Sequence, residues 1–206
     1  SFVAEKEEKY LNIFKMNYAE TSLFDVGLKP HPRFPLQEKI KVTKPLLSDL
    51  IDSTESFCRQ KNISPVFYNI ETKTHPATDN IYHPTPAVFI NLLMAVIASG
   101  GIENRTIIQS FDIRTLQYLH LKFPNIQTAL LIEGEDKRTV ENQLKELGFN
   151  PTIYSPHFSL VTIDLIQKLH QQKIKIIPWT VDDAAQINRL KNLGVDGIIT
   201  DDPGLF

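Results

Sequence analysis

Three observations on the sequence predict an α/β fold built as a parallel (β/α)8 TIM barrel. From residue 66 onward, short β-branched and aromatic runs alternate with amphipathic stretches, the texture of strands joined by right-handed helical crossovers. The strands are short and evenly spaced, and each is followed by one helical stretch. No G-x-G-x-x-G turn follows any of them, which argues against the doubly wound dinucleotide-binding sheet that shares this texture. Six strands are read, two fewer than the eight that close such a cylinder.

The first strand is Val66–Ile70 (VFYNI), ending at Glu71. Pro86–Ser99 reads as a buried helix stopped by Gly100-Gly101. Thr106–Phe111 is the next strand, and Asp112 can cap the helix that carries Leu116, Leu119 and His120. Thr128–Ile132 is followed by a helix over Lys137–Leu147, closed by Gly148. The strand at Thr152–Tyr154 precedes a helix over Thr162–Gln171, with Ile163, Ile166 and Leu169 on one face. Lys175–Trp179, a helix over Ala184–Leu193 stopped by Gly194, and a last strand at Gly197–Thr200 complete the series.

The front of the chain differs. Asn17–Asp25 and Leu46–Phe57 read as helices, and the proline-rich run Lys29–Pro35 between them reads as a surface loop or lid. The charged run Glu5–Lys9 is read as a solvated face or frayed end. One domain over residues 1–206 is expected, with 1–45 as an insertion or loop segment.

The 206 residues are 42% hydrophobic and 22% charged, enough for one sizeable core. A net charge of −2 without a basic stripe argues against a nucleic-acid partner. The densest apolar stretch, Ala87–Ala98, is far short of the ~20 residues of a membrane span. The first residues lack the layout of a signal peptide, and the compartment stays open. The single cysteine, Cys58, is read as a packed structural thiol. No H-x-H or H-x-x-x-H metal spacing, G-x-S-x-G elbow or P-loop occurs.

In a barrel of this kind the site lies at the carboxyl ends of the strands. Those positions hold Glu71 and Lys73, Ser110 and Phe111, Glu133, Pro156 and His157, Trp179, and Thr200 with Asp201. Glu71 and Lys73, two apart on an extended segment, point to the same side. The carboxylate can ligate a hard divalent cation and the ammonium can meet a phosphate oxygen, a pairing suited to phosphodiester cleavage; a barrel-lining ion pair is the alternative. Trp179 either walls an apolar part of a substrate or caps the core, and Glu133 faces either pocket or solvent.

The segments Asn69-Ile70-Glu71-Thr72-Lys73, Gln109-Ser110-Phe111-Asp112, Pro178-Trp179-Thr180-Val181-Asp182 and Gly194–Pro203 (GVDGIITDDP) resemble, in order and spacing, motifs of the glycerophosphodiester phosphodiesterase family. Lys44–Ile51 is similar to the helix before the family's third strand. The resemblance implies a metal-dependent hydrolase that splits glycerophosphodiesters into glycerol 3-phosphate and an alcohol. It makes Glu71 a ligand of a divalent cation, Mg or Ca, and Lys73 a phosphate contact, with Phe111, Glu133 and Trp179 lining the substrate pocket. The family's H-R-G, E-x-D and H-D motifs do not occur here. The implied reading is therefore that residues 46–206 supply barrel units three to eight. It follows that no catalytic residue lies in this chain, and that two catalytic histidines are expected upstream in a longer protein. A non-catalytic relative that binds glycerophospho groups, or a phospholipase-like enzyme acting on larger lipids, are the alternatives.

Overall fold

The computed structural model describes residue 7 and residues 10–206; most of the run Glu5–Lys9 lies outside the described residues. Five strands, β1 (Tyr68–Glu71), β2 (Thr106–Ser110), β3 (Gln127–Ile132), β4 (Ile153–Pro156) and β5 (Lys175–Ile176), pair in sequence order. Every pairing is parallel. The helices are α1 (Tyr18–Thr21), α2 (Leu47–Lys61), α3 (Pro86–Gly100), α4 (Ile113–Lys122), α5 (Val140–Leu147), α6 (Ile163–Gln171) and α7 (Ala184–Leu193). This is the expected α/β fold with a curved parallel sheet of barrel type, present as part of the cylinder.

Cap residues set where each crossover helix begins. Asp112, Thr139, Thr162 and Asp183 each accept a main-chain N–H of the first turn, so α5 starts at Val140 rather than at Lys137. Gly148 and Gly194 end α5 and α7 with φ of 85° and 90°, a conformation that glycine adopts without a Cβ penalty.

Period-two alternation divides the sheet. Tyr68, Ile108, Leu130, Ile132, Tyr154 and Ile176 are buried against the helices, among Ile90, Ile97, Leu119, Leu147, Leu169 and Leu190. Burying each such side chain contributes roughly 1.5–3 kcal/mol. Register then places Glu71, Gln109, Leu131, Ser155 and Ile177 on the opposite, barrel-facing side. Cys58 is buried in α2 at 3% exposure, as a packed thiol should be.

Further expectations need correction, the first being that the strand expected over Lys175–Trp179 is regular only over Lys175–Ile176. The helix over Asn17–Asp25 is only the single turn α1. The Thr21 and Ser22 hydroxyls bond back to main-chain carbonyls, and Asp25 turns the chain by accepting the N–H groups of Gly27, Leu28 and Val42. Ile163 is 53% exposed because it opens α6, while Ile166 and Leu169 carry the buried face. The segment 197–200 lies beside β5 without a regular ladder. Asp196 N–H donates to the Ile176 carbonyl, Ile199 N–H to Pro178 and Val181 N–H to Ile199, but Pro178 has no N–H to donate in return.

The front segment bridges the two ends of the sheet. Asn12 Nδ2 donates to the Ile81 carbonyl at 2.7 Å and Lys15 Nζ to that of Asn80 at 3.4 Å, both in the β1–α3 loop. Arg33 reaches Asp201, beyond the last sheet segment, at 3.5 Å.

Candidate functional site

Glu71 is the last residue of β1, and the ladder runs one bond further, from the Thr72 N–H to the Gln109 carbonyl. Lys73 Nζ lies 2.7 Å from Glu71 Oε1, so the two side chains do share a side. Thr72 between them turns the other way into the core. Its hydroxyl lies 3.1 Å from that of Thr115, its N–H donates to Gln109, and its carbonyl accepts from Ser110 Oγ at 2.9 Å. These bonds hold the pair pointing into the opening. The Lys73 side chain is 80% exposed against 23% for Glu71, and a pair open to solvent on the lysine side is worth only about 0–1 kcal/mol, so Lys73 is readily recruited elsewhere. A cleft of about 370 Å³ surrounds them, lined also by His75, Thr78, Phe111 and Glu133.

A polar network supports this cleft from behind. Thr74 Oγ1 donates to Asp112 Oδ2 at 2.8 Å, tying the segment after Lys73 to the cap of α4. Arg114 donates to both Asp112 oxygens and to both oxygens of Asp79. Desolvation works to raise the Asp112 carboxyl, but hydrogen bonds from Arg114 and Thr74 outweigh it and hold the group below the usual carboxylate range. Arg114 likewise lowers Asp79, and its own guanidinium is held even more firmly protonated. His83 is buried in the same loop, where Nε2 accepts the His75 N–H at 3.0 Å.

The far wall is aromatic. The Phe111 and Trp179 rings meet edge to face at 5.3 Å, and the His157 ring meets Trp179 in the same manner at 5.4 Å. Trp179 Nε1 donates to the Ser155 carbonyl at 2.9 Å, which fixes the indole while leaving it half-buried.

Of the positions expected at the strand ends, Glu71, Lys73, Phe111 and Glu133 come together on the cleft, and Trp179 joins through Phe111. Ser110 does not: it is fully buried on the helix side, donating to Thr72 and accepting from the Asp112 N–H. Thr200 and the Asp201 N–H both donate to Asp182. Asp201 and Asp202 border a larger cleft of about 710 Å³ with His31, Phe34 and Leu36. That larger space lies over exposed loop side chains, whereas the smaller one gathers the charged pair at a strand end. The supporting set Thr74, Asp79 and Arg114 went unread because only the capping role of Asp112 is visible in sequence.

Among the described residues no group of three His, Cys, Asp or Glu side chains could hold a metal ion. Glu71 offers one carboxylate whose Oε1 already faces Lys73, and hard divalent cations take several oxygen ligands. These residues alone therefore do not fit a bound Mg or Ca ion.

The family model for the glycerophosphoryl diester phosphodiesterase family matches residues 43–205. A glycerophosphodiester phosphodiesterase from Caldanaerobacter subterraneus subsp. tengcongensis is 31% identical over 111 residues, 54% of this chain and 44% of the relative. One from Bacillus altitudinis is 33% identical over 105 residues, 50% of this chain and 41% of the relative. The chain spans about half the length of the curated relatives it matches. A solved structure from Silicibacter pomeroyi DSS-3, named for the same family, superposes with a TM-score of 0.78 at 27% identity, covering 93% of this chain and 66% of that one. An Oleispira antarctica phosphodiesterase, solved with the product sn-glycerol-3-phosphate, shares the fold at 18% identity with a TM-score of 0.69, over 92% of this chain and 68% of that one.

Proposed function

Because the chain belongs to the glycerophosphoryl diester phosphodiesterase family, we propose that the protein hydrolyses glycerophosphodiesters to glycerol 3-phosphate and an alcohol. The observation that carries this reading is the exposed Glu71–Lys73 pair at the end of β1, beside the Phe111–Trp179 wall. Lys73 is the phosphate contact: on leaving Glu71 it places a full positive charge against a phosphate oxygen. Glu71 is then free to serve as one oxygen ligand of a divalent cation, Mg or Ca, with further ligands supplied from outside this chain. Phe111 and Trp179 cover the carbon skeleton of the glycerol moiety. Glu133, on the cleft rim, reads the substrate's polar groups. The proton-transfer groups are two histidines expected outside this chain. The product held by the Oleispira antarctica protein supports the assignment of the substrate class.

The test is release of sn-glycerol 3-phosphate from glycerophosphocholine or glycerophosphoethanolamine by the complete protein, with Mg or Ca added. Turnover that disappears in Glu71→Ala while the fold persists is the expected result. Absence of turnover by the unmodified protein on any such diester overturns the enzyme reading. With no group of three potential metal ligands among the described residues, one second reading is a non-catalytic protein that binds glycerophospho groups, and binding without turnover would select it.

A further inference from the structure

We propose that His157 is a specificity-determining residue whose Nε2–H donates a hydrogen bond to a hydroxyl oxygen of the glycerol moiety. The proposal rests on the glycerophosphodiester reading above.

Position is the first argument. His157 follows the last residue of β4 and pairs with Trp179 as a parallel bridge, so both side chains belong to the barrel-facing side of the sheet. Its ring touches Trp179, which touches Phe111, which lines the cleft of Glu71 and Lys73. The imidazole is thus continuous with the proposed site.

The second argument is the state of the ring. The Ser159 main-chain N–H donates to His157 Nδ1 at 3.3 Å, and Ser159 Oγ lies 2.8 Å from the same nitrogen. A main-chain N–H can only donate, so Nδ1 is the unprotonated nitrogen and the ring proton sits on Nε2. Nε2 has no hydrogen-bond partner among the described residues, and the side chain is only part-buried. Nδ1 is thus committed to capping the turn Phe158–Leu160, which leaves Nε2–H as the ring's one donor still open to a ligand.

Immobilisation is the third. Phe158 lies at 4.6 Å between ring centroids, and Trp179 meets the ring edge-on. Gly134 closes another side, where even a Cβ would stand 3.3 Å from the ring's Cγ and Nδ1. A rigid donor of this kind is oriented before the ligand arrives, which favours selective binding. As an N–H donor beside an indole, it matches a neutral polyol carbon–hydroxyl edge. The phosphate is better matched by the Lys73 ammonium.

The test compares binding of sn-glycerol 3-phosphate with that of propane-1,2-diol 1-phosphate and propane-1,3-diol phosphate, each lacking one hydroxyl. The unmodified complete protein should prefer sn-glycerol 3-phosphate over one of the two by roughly tenfold, the contribution of one hydrogen bond. His157→Ala should erase that preference, so that the two ligands bind alike whatever loss of affinity they share, and His157→Gln should restore part of it. The imidazole 15N spectrum of the unmodified protein provides a check without any variant. The His157 Nε2 signal should move with sn-glycerol 3-phosphate and stay in place with the deoxy ligand. Unaltered discrimination in His157→Ala, equal affinity for all three ligands, or a motionless Nε2 signal would overturn the proposal. If glycerophosphocholine is turned over in any of those cases, His157 alone is misassigned. If the unmodified protein neither binds these ligands nor turns over the diester, the glycerophosphodiester reading falls with it.

Discussion

Arg114 grips Asp79 through two hydrogen bonds, Nη1 to Oδ2 at 2.8 Å and Nη2 to Oδ1 at 3.1 Å. Asp79 belongs to the long β1–α3 loop and Arg114 to the first turn of α4, so the contact staples a loop that local sequence would leave mobile. The same guanidinium neutralises Asp112, whose side chain is 5% exposed.

Arg114→Ala should therefore cost about 2 kcal/mol, the penalty for a buried carboxylate left without its charged partner. Denaturant unfolding measures the loss. Asp112→Asn in the Arg114→Ala background should recover part of it, because the orphaned charge is then gone.

Asp136 carries an acid-sensitive contribution. Hydrogen bonds from Arg138 lower its carboxyl to about 2, against opposing desolvation. A depressed folded pKa gives stability that is complete above pH 4 and lost as pH falls from 4 towards 2. The shift corresponds to roughly 1–2 kcal/mol once solvent at the exposed Arg138 end is allowed for. Asp136→Asn should be less stable than the parent at pH 6 by that amount, and the gap should close by pH 2 in parallel unfolding curves.

Lys73→Met should lower kcat/KM for glycerophosphocholine by about 30- to 100-fold, the worth of one charge-assisted phosphate contact. Stability should change by less than about 1 kcal/mol, because the Glu71 pair is exposed. Loss of stability with activity retained would instead mark the pair as a lining contact.

Trp179 is the one tryptophan of these 206 residues, so the part of the tryptophan emission that Trp179→Phe removes reports the mouth. Titration with sn-glycerol 3-phosphate should change its intensity or emission maximum, and Phe111→Ala should weaken that response by removing the ring packed against the indole. An unchanged spectrum at saturating ligand would place the ligand away from this wall.

The repeat from β1 to α7 was readable because the apolar period recurs in each unit and glycines close α3, α5 and α7, with Asp112 the one cap legible in sequence; the cap Thr139 was not, which is why α5 was expected to begin at Lys137. Glu71 and Lys73 were readable because an extended segment fixes the side on which alternate residues lie. The front segment was not, since Asp25 turns the chain through side-chain bonds that outcompete helix. Arg114 was hidden for a different reason. Its partners Asp79 and Asp112 stand far apart in sequence, and only the fold brings them to one guanidinium.

The segment from Asn12 to Arg33 is anchored at Ile81 on one margin of the sheet and at Asp201 on the other. It is a chord drawn across an arc. Its second anchor is a single exposed ion pair worth at most about 1 kcal/mol, so the ladders of the sheet and not this chord hold the curvature, and the prolines at 30, 32 and 35 only stiffen the part near that anchor. Losing that anchor would free the strap at one end and leave the sheet itself in place.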